Sequence, residues 1–110
     1  MSLPDFKGLL ETAQRIQTEV ARIRDELAGK TVSAETGGGL VRCTANGKGE
    51  VLALTIDPAA LAGLVGDKKM IEDLTVGAVN LALERARELA QAELARATGG
   101  LPLPPGLFGG

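Results

Sequence analysis

The chain has 110 residues, 45% hydrophobic and 24% charged, with a formal net charge of −2. That length suits one domain with a real core, and no apolar run approaches the roughly 18 residues of a membrane span, so disordered and transmembrane classes are excluded. There is no His, Trp or Tyr, and Cys43 stands alone. A histidine general base, a Ser/His or Cys/His nucleophile pair and a zinc site therefore cannot be assembled. With only Phe6 and Phe108 as aromatics, stacking platforms for single-stranded nucleic acid are nearly excluded too. The first residues lack the basic and apolar blocks of a signal peptide, and an unpaired Cys suits a reducing compartment, so a cytoplasmic location is expected.

Ser2-Leu3-Pro4-Asp5 predicts a helix start, with Ser2 as cap, an early Pro and an acid in the first turn. Phe6, Leu9, Leu10, Ala13, Ile16, Val20, Ile23 and Leu27 then share one arc of roughly 140° on a helical wheel. From Ala13 the spacing alternates three and four, as in a coiled-coil seam. The helix is expected to end near Ala28-Gly29. At about 37 Å it is long enough for part of it to project or meet a partner.

The period then changes. Thr31 to Thr36 and Leu40 to Ala45 alternate small apolar and polar residues, with Gly37-Gly38-Gly39 between them. Asn46-Gly47 predicts a hairpin, because both positions tolerate positive φ. Val51 to Ile56 is the third strand, so the three form an antiparallel meander. Asp57-Pro58 opens a short helix over Ala59 to Val65, stopped by Gly66. Asp67 caps a long helix to about Ala97, ended by Thr98-Gly99-Gly100. The last ten residues are Pro/Gly-rich and read as an extended tail with a few apolar anchors.

The long second helix shows two apolar stripes. Ile71, Leu74, Ala78, Leu81, Ala82 and Leu89 lie on one side, and Val76, Val79, Leu83, Ala86, Ala90 and Leu94 nearly opposite. A small sheet covers one side, so the second is expected to form a dimer interface.

The glycine clusters do not form a phosphate loop, because Arg42 stands where the P-loop spacing needs its first Gly and Gly49 follows Lys48. They read as turns. The neighbouring acids Asp25-Glu26 and Glu72-Asp73 do not converge on a point, and Cys43 reads as a small buried hydrophobe. Neither a metal nor a cofactor is expected. The basic residues carry more. Lys7, Arg15 and Arg22 fall opposite the apolar seam, a stripe able to follow a phosphate backbone. Glu11, Asp25 and Glu26 share that arc, so a solvated face of mixed-sign pairs is the competing reading. On the second long helix Arg85, Arg87 and Arg96 are interspersed with Glu84, Glu88 and Glu93.

Several short segments, in order, resemble the YbaB/EbfC family of bacterial nucleoid-associated proteins. They are Gly37-Gly38-Gly39-Leu40-Val41, Asn46-Gly47, Ile56-Asp57-Pro58, Ile71-Glu72-Asp73-Leu74, Ala78-Val79-Asn80-Leu81-Ala82 and Leu103-Pro104-Pro105-Gly106-Leu107-Phe108. The first helix, with Ala13-Gln14 and Gln17, is also similar. The resemblance implies a tweezer-like α/β homodimer with projecting helices. It further implies duplex DNA binding with limited sequence preference, in the nucleoid, bearing on gene expression, nucleoid organisation or DNA protection. Lys7, Arg15 and Arg22 carry over from the bases common on the family's first helix. Arg85, Arg87 and Arg96 are added from their place on the other projecting helix.

The expected fold is α+β: long helix, three-stranded antiparallel meander, short helix, long helix. Residues 1–100 form one domain and 101–110 a tail. The expected function is non-enzymatic binding of duplex DNA through its phosphates, with no membrane and no small-molecule substrate. The alternative is a structural module that docks a protein partner through its helical seam or tail; a small enzyme using carboxylates is the third reading.

Overall fold

The computed structural model describes residues 5–63, 67–97 and 99. Its elements are α1 (Phe6–Leu27), β1 (Thr31–Thr36), β2 (Val41–Asn46), β3 (Val51–Ile56), α2 (Pro58–Ala62) and α3 (Lys68–Ala97). The sheet is an antiparallel meander in the order β1-β2-β3. The α+β fold and the order of its elements are those expected.

Several local details differ. The proposed Ser2 cap lies outside the described residues, and Asp5 itself caps α1 by accepting the Gly8 N–H at 3.0 Å. Neither Asn46 nor Gly47 has positive φ; Gly49 does, at 81°. Gly49 N–H donates to the Asn46 carbonyl, and Asn46 N–H to the Glu50 carbonyl at 2.9 Å. This is a type I turn followed by a left-handed glycine, which needs only one positive φ. The other β-turn follows expectation more directly, since Gly37, Gly38 and Gly39 all have positive φ (66°, 66° and 98°), a run that L side chains resist. Beyond α2, residues 64–66 lie outside the described residues, so the expected stop at Gly66 does too. Asp67 caps α3 through the Met70 N–H at 3.2 Å.

Strand periodicity sets the core. Val41, Cys43 and Ala45 point to one face of β2 and are fully buried, with Ala34 of β1 beside them. Against them α3 lays Ala78, Ala82 and Ala86, one residue per turn, and these small side chains let the helix sit close to the strands. The opposite face is polar, with Ser33 and Thr44 hydroxyls 3.1 Å apart. Burial pushes the Cys43 thiol above its ordinary pKa.

A second cluster joins the two long helices. Val20, Ile23 and Leu27 of α1 pack against Leu94, with Leu89 and Ala90 alongside. The C-terminus of α1 is fixed to the β2–β3 turn, where Gly47 N–H donates to the Leu27 and Lys30 carbonyls, each at 2.9 Å. Buried Asn46 completes the joint. Its Nδ2 donates to the Ala28 carbonyl and Glu50, and its Oδ1 accepts the Lys48 and Glu50 N–H groups. Only the C-terminal part of α1 is held this way. Residues 5–18 bury no side chain, so the front half of α1 projects.

Candidate nucleic-acid interface

The six candidate cations divide by what already holds them. Arg22 is engaged on both sides, with Glu19 at 2.6 Å and Glu26 at 2.5 Å, one turn away in each direction. The hydrogen bond to Arg22 holds the Glu19 carboxyl below its usual range, and the two carboxylates raise the guanidinium further. Arg96 pairs with Glu93. Arg85 turns toward the sheet and donates to the Ser33 carbonyl at 2.5 Å, at the outer edge of β1. Lys7, Arg15 and Arg87 are exposed and, among the described residues, make no ion pair or side-chain hydrogen bond.

Lys7 and Arg15 stand on the projecting half of α1, about 12 Å apart along its axis at 1.5 Å per residue. Glu11 lies between them without bridging to either. Arg87 lies on α3, on a side turned away from the alanine stripe. Two further cations, Arg24 and Lys48, are exposed and likewise unpaired among the described residues. The sequence held a signal for Arg24, which has no acid three or four positions away. Lys48 gave none beyond its place at the centre of a turn.

The stripe proposed for a second subunit is distributed differently. Ala86 is fully buried with Ala78 and Ala82, and Leu94 is buried under α1. Ala90 also packs against the α1 cluster. The chain itself covers these three. Val79 and Leu83 are partly covered by the sheet core, and Val76 is exposed. Their flank has a neighbour that periodicity alone did not reveal. On one side α3 meets β1, where Thr36 Oγ1 donates to the Leu74 carbonyl at 2.6 Å and Arg85 reaches Ser33. Val76, Val79 and Leu83 lie roughly 130–190° round the helix from Leu74 and Arg85, on the side toward β3. There the sheet is bare. α3 packs across β1 and β2, and Val51, Leu52 and Leu54 of β3 are between 42% and 53% exposed. A one-residue bulge at this strand's start adds Leu52 to the pattern.

Among the described residues, no helix is long and apolar enough to cross a membrane.

A nucleoid-associated protein of Anaeromyxobacter sp. (strain Fw109-5) is 45% identical over 91% of this chain and 95% of its own length. One from Thermoanaerobacter sp. (strain X514) is 40% identical over 94% of this chain and 91% of its own. The crystal structure of an uncharacterized Helicobacter pylori protein superposes with a TM-score of 0.67 at 25% identity, covering 91% of this chain and 99% of that one. Residues 1–101 match the model of the YbaB/EbfC DNA-binding family, and the chain belongs to that family.

Proposed function

We propose that the chain acts in the nucleoid as a homodimer that holds duplex DNA by its phosphates. The observation that carries this reading is the projecting half of α1 with its unpaired Lys7 and Arg15. A cation already satisfied by carboxylates must give them up to meet a phosphate, whereas an unpaired one only releases counterions from DNA. Lys7, Arg15 and Arg87 are therefore the primary contacts, and Arg22, Arg85 and Arg96 are secondary. Among the described residues, no Asn or Gln array is placed to read base edges, so sequence preference is expected to be weak.

The dimer forms through β3 and the adjoining flank of α3. An apolar, unpaired edge strand continuous with Val76, Val79 and Leu83 is a surface that associates. Pairing two such edges places two α1 arms on one particle, and doubled contacts raise avidity for a polymer such as DNA.

Titration of a fluorescent duplex separates the two cation classes. Lys7→Glu with Arg15→Glu is expected to abolish binding at low salt with the circular dichroism unchanged. Arg22→Ala is expected to weaken binding by less than about threefold, in line with the small net worth of an already paired exposed charge. Equal losses in both variants would contradict the division. No binding by the wild type at low salt would favour the reading as a protein-docking module.

A further inference from the structure

The seam that α3 covers at Val20, Ile23 and Leu27 does not stop there. The same face of α1 continues through Ile16, Ala13, Leu10, Leu9 and Phe6, and the four large side chains among these are between 41% and 63% exposed. Four large apolar groups in line on one helix face form a contact surface.

The course of the chain indicates what covers it. α1 meets the sheet at its C-terminus, where Leu27 touches Gly47, whereas α3 leaves the sheet toward its own C-terminus. The two helices are thus antiparallel, tied by Lys30–Glu93 at 2.8 Å. α3 runs along the seam toward the N-terminus of α1 and ends at Ala97, where the cover of the seam stops. Gly99, with φ of 65°, closes the helix by donating to the Arg96 carbonyl. The sequence then reads Leu101-Pro102-Leu103-Pro104-Pro105-Gly106-Leu107-Phe108, four large apolar side chains and no charge.

We propose that residues 101–108 dock onto residues 6–16 of their own chain and continue the cover that α3 begins. The reach suffices: residues 98–108 extend at most about 36–40 Å, and the seam from Val20 to Phe6 spans about 21 Å at 1.5 Å per residue. The composition also suits the task. Three prolines bring no N–H to be buried and lose little freedom on ordering. The tether gives the segment a local concentration on the order of millimolar, above that of a second copy at micromolar concentration. The docked segment lies on the apolar side of α1, away from Lys7 and Arg15, so this proposal stands apart from the DNA reading.

Hydrogen exchange on the full chain tests it. Replacing Leu103, Leu107 and Phe108 by Ser together is expected to speed exchange of the amides of residues 9–18 at least about tenfold while leaving β1–β3 unchanged. In the wild type that protection should not vary with protein concentration. Equal exchange in both proteins, or protection that rises with concentration, would overturn the proposal. A second variant addresses the occupant directly. Leu10→Cys with Leu103→Cys, in a Cys43→Ala background, is expected to oxidise to an intrachain disulfide. An interchain product, or no disulfide, would overturn it.

Discussion

Leu27 occupies the space that a side chain at position 47 would need. A Cβ on Gly47 would stand 2.6 Å from Leu27 Cδ2 and 2.9 Å from its Cβ. Those atoms belong to the buried contact between α1 and α3, so they have little room to give. Gly47→Val should therefore cost about 1–3 kcal/mol, read as a lower urea midpoint with unchanged slope. Asn46-Gly47 was legible as a turn, but the reason for its glycine was not. The constraint is the close approach of a helix 20 positions earlier, which local turn chemistry cannot reveal. Glu93 shows a second residue-scale effect. Its carboxyl is held below its usual range mainly by the hydrogen bond from Lys30, with the charge of Arg96 adding to it and desolvation opposing it. A carboxyl whose folded pKa is depressed adds stability above its unfolded pKa, and that stability is lost as pH falls through the folded value. Acidification below the ordinary Glu range, about 4.3, should lower the urea midpoint, and Glu93→Gln should reduce that acid sensitivity. An identical pH profile in the variant would contradict the role given to this carboxylate.

At the scale of elements, each face is read by what its neighbours leave uncovered. The apolar arc of α1 was legible because one stripe of large side chains stands against a polar face. α3 was harder, because its core stripe is three alanines spaced by four, and an alanine carries little periodic signal. Ala86 belongs to that core stripe, although its spacing alone groups it with Val76, Val79 and Leu83, which do share a side. β3 was legible as a strand, but its bareness was not, since nothing local tells that α3 stops at β2. That bareness has a measurable consequence. Leu54 faces the α3 side of the sheet, opposite Cys43, and is 42% exposed. A glutamate there would remain solvated in a monomer and be buried without a partner between two copies, which costs several kcal/mol. Leu54→Glu should thus remain folded by circular dichroism and sediment as a monomer at a concentration where the wild type is a dimer. A wild type that sediments as a monomer, or a variant that remains dimeric, would remove β3 from the interface.

For the whole molecule, the net charge of −2 works against association with a polyanion, so binding rests on where the cations stand. Six acids are drawn into seven ion pairs with cations of the same chain, which leaves Lys7, Arg15, Arg24 and Arg87 unpaired on the two long helices among the described residues. Family membership was legible because it rests on the order of many short segments. The division between paired and unpaired cations was not, because Arg15 and Arg22 both have acids one turn away and only the packed chain shows that Glu19 turns to Arg22. The measurement that tests the account most directly is the salt dependence of affinity for a random duplex. With Lys7, Arg15 and Arg87 as the primary contacts, the proposed dimer presents six, and at about −0.9 per phosphate contact the log–log slope should lie near −5, with unrelated duplexes competing almost equally. Reversing Lys7 and Arg15 should flatten that slope to about −2 or less. A wild-type slope near zero, or one unchanged by the reversal, would contradict phosphate binding through these helices.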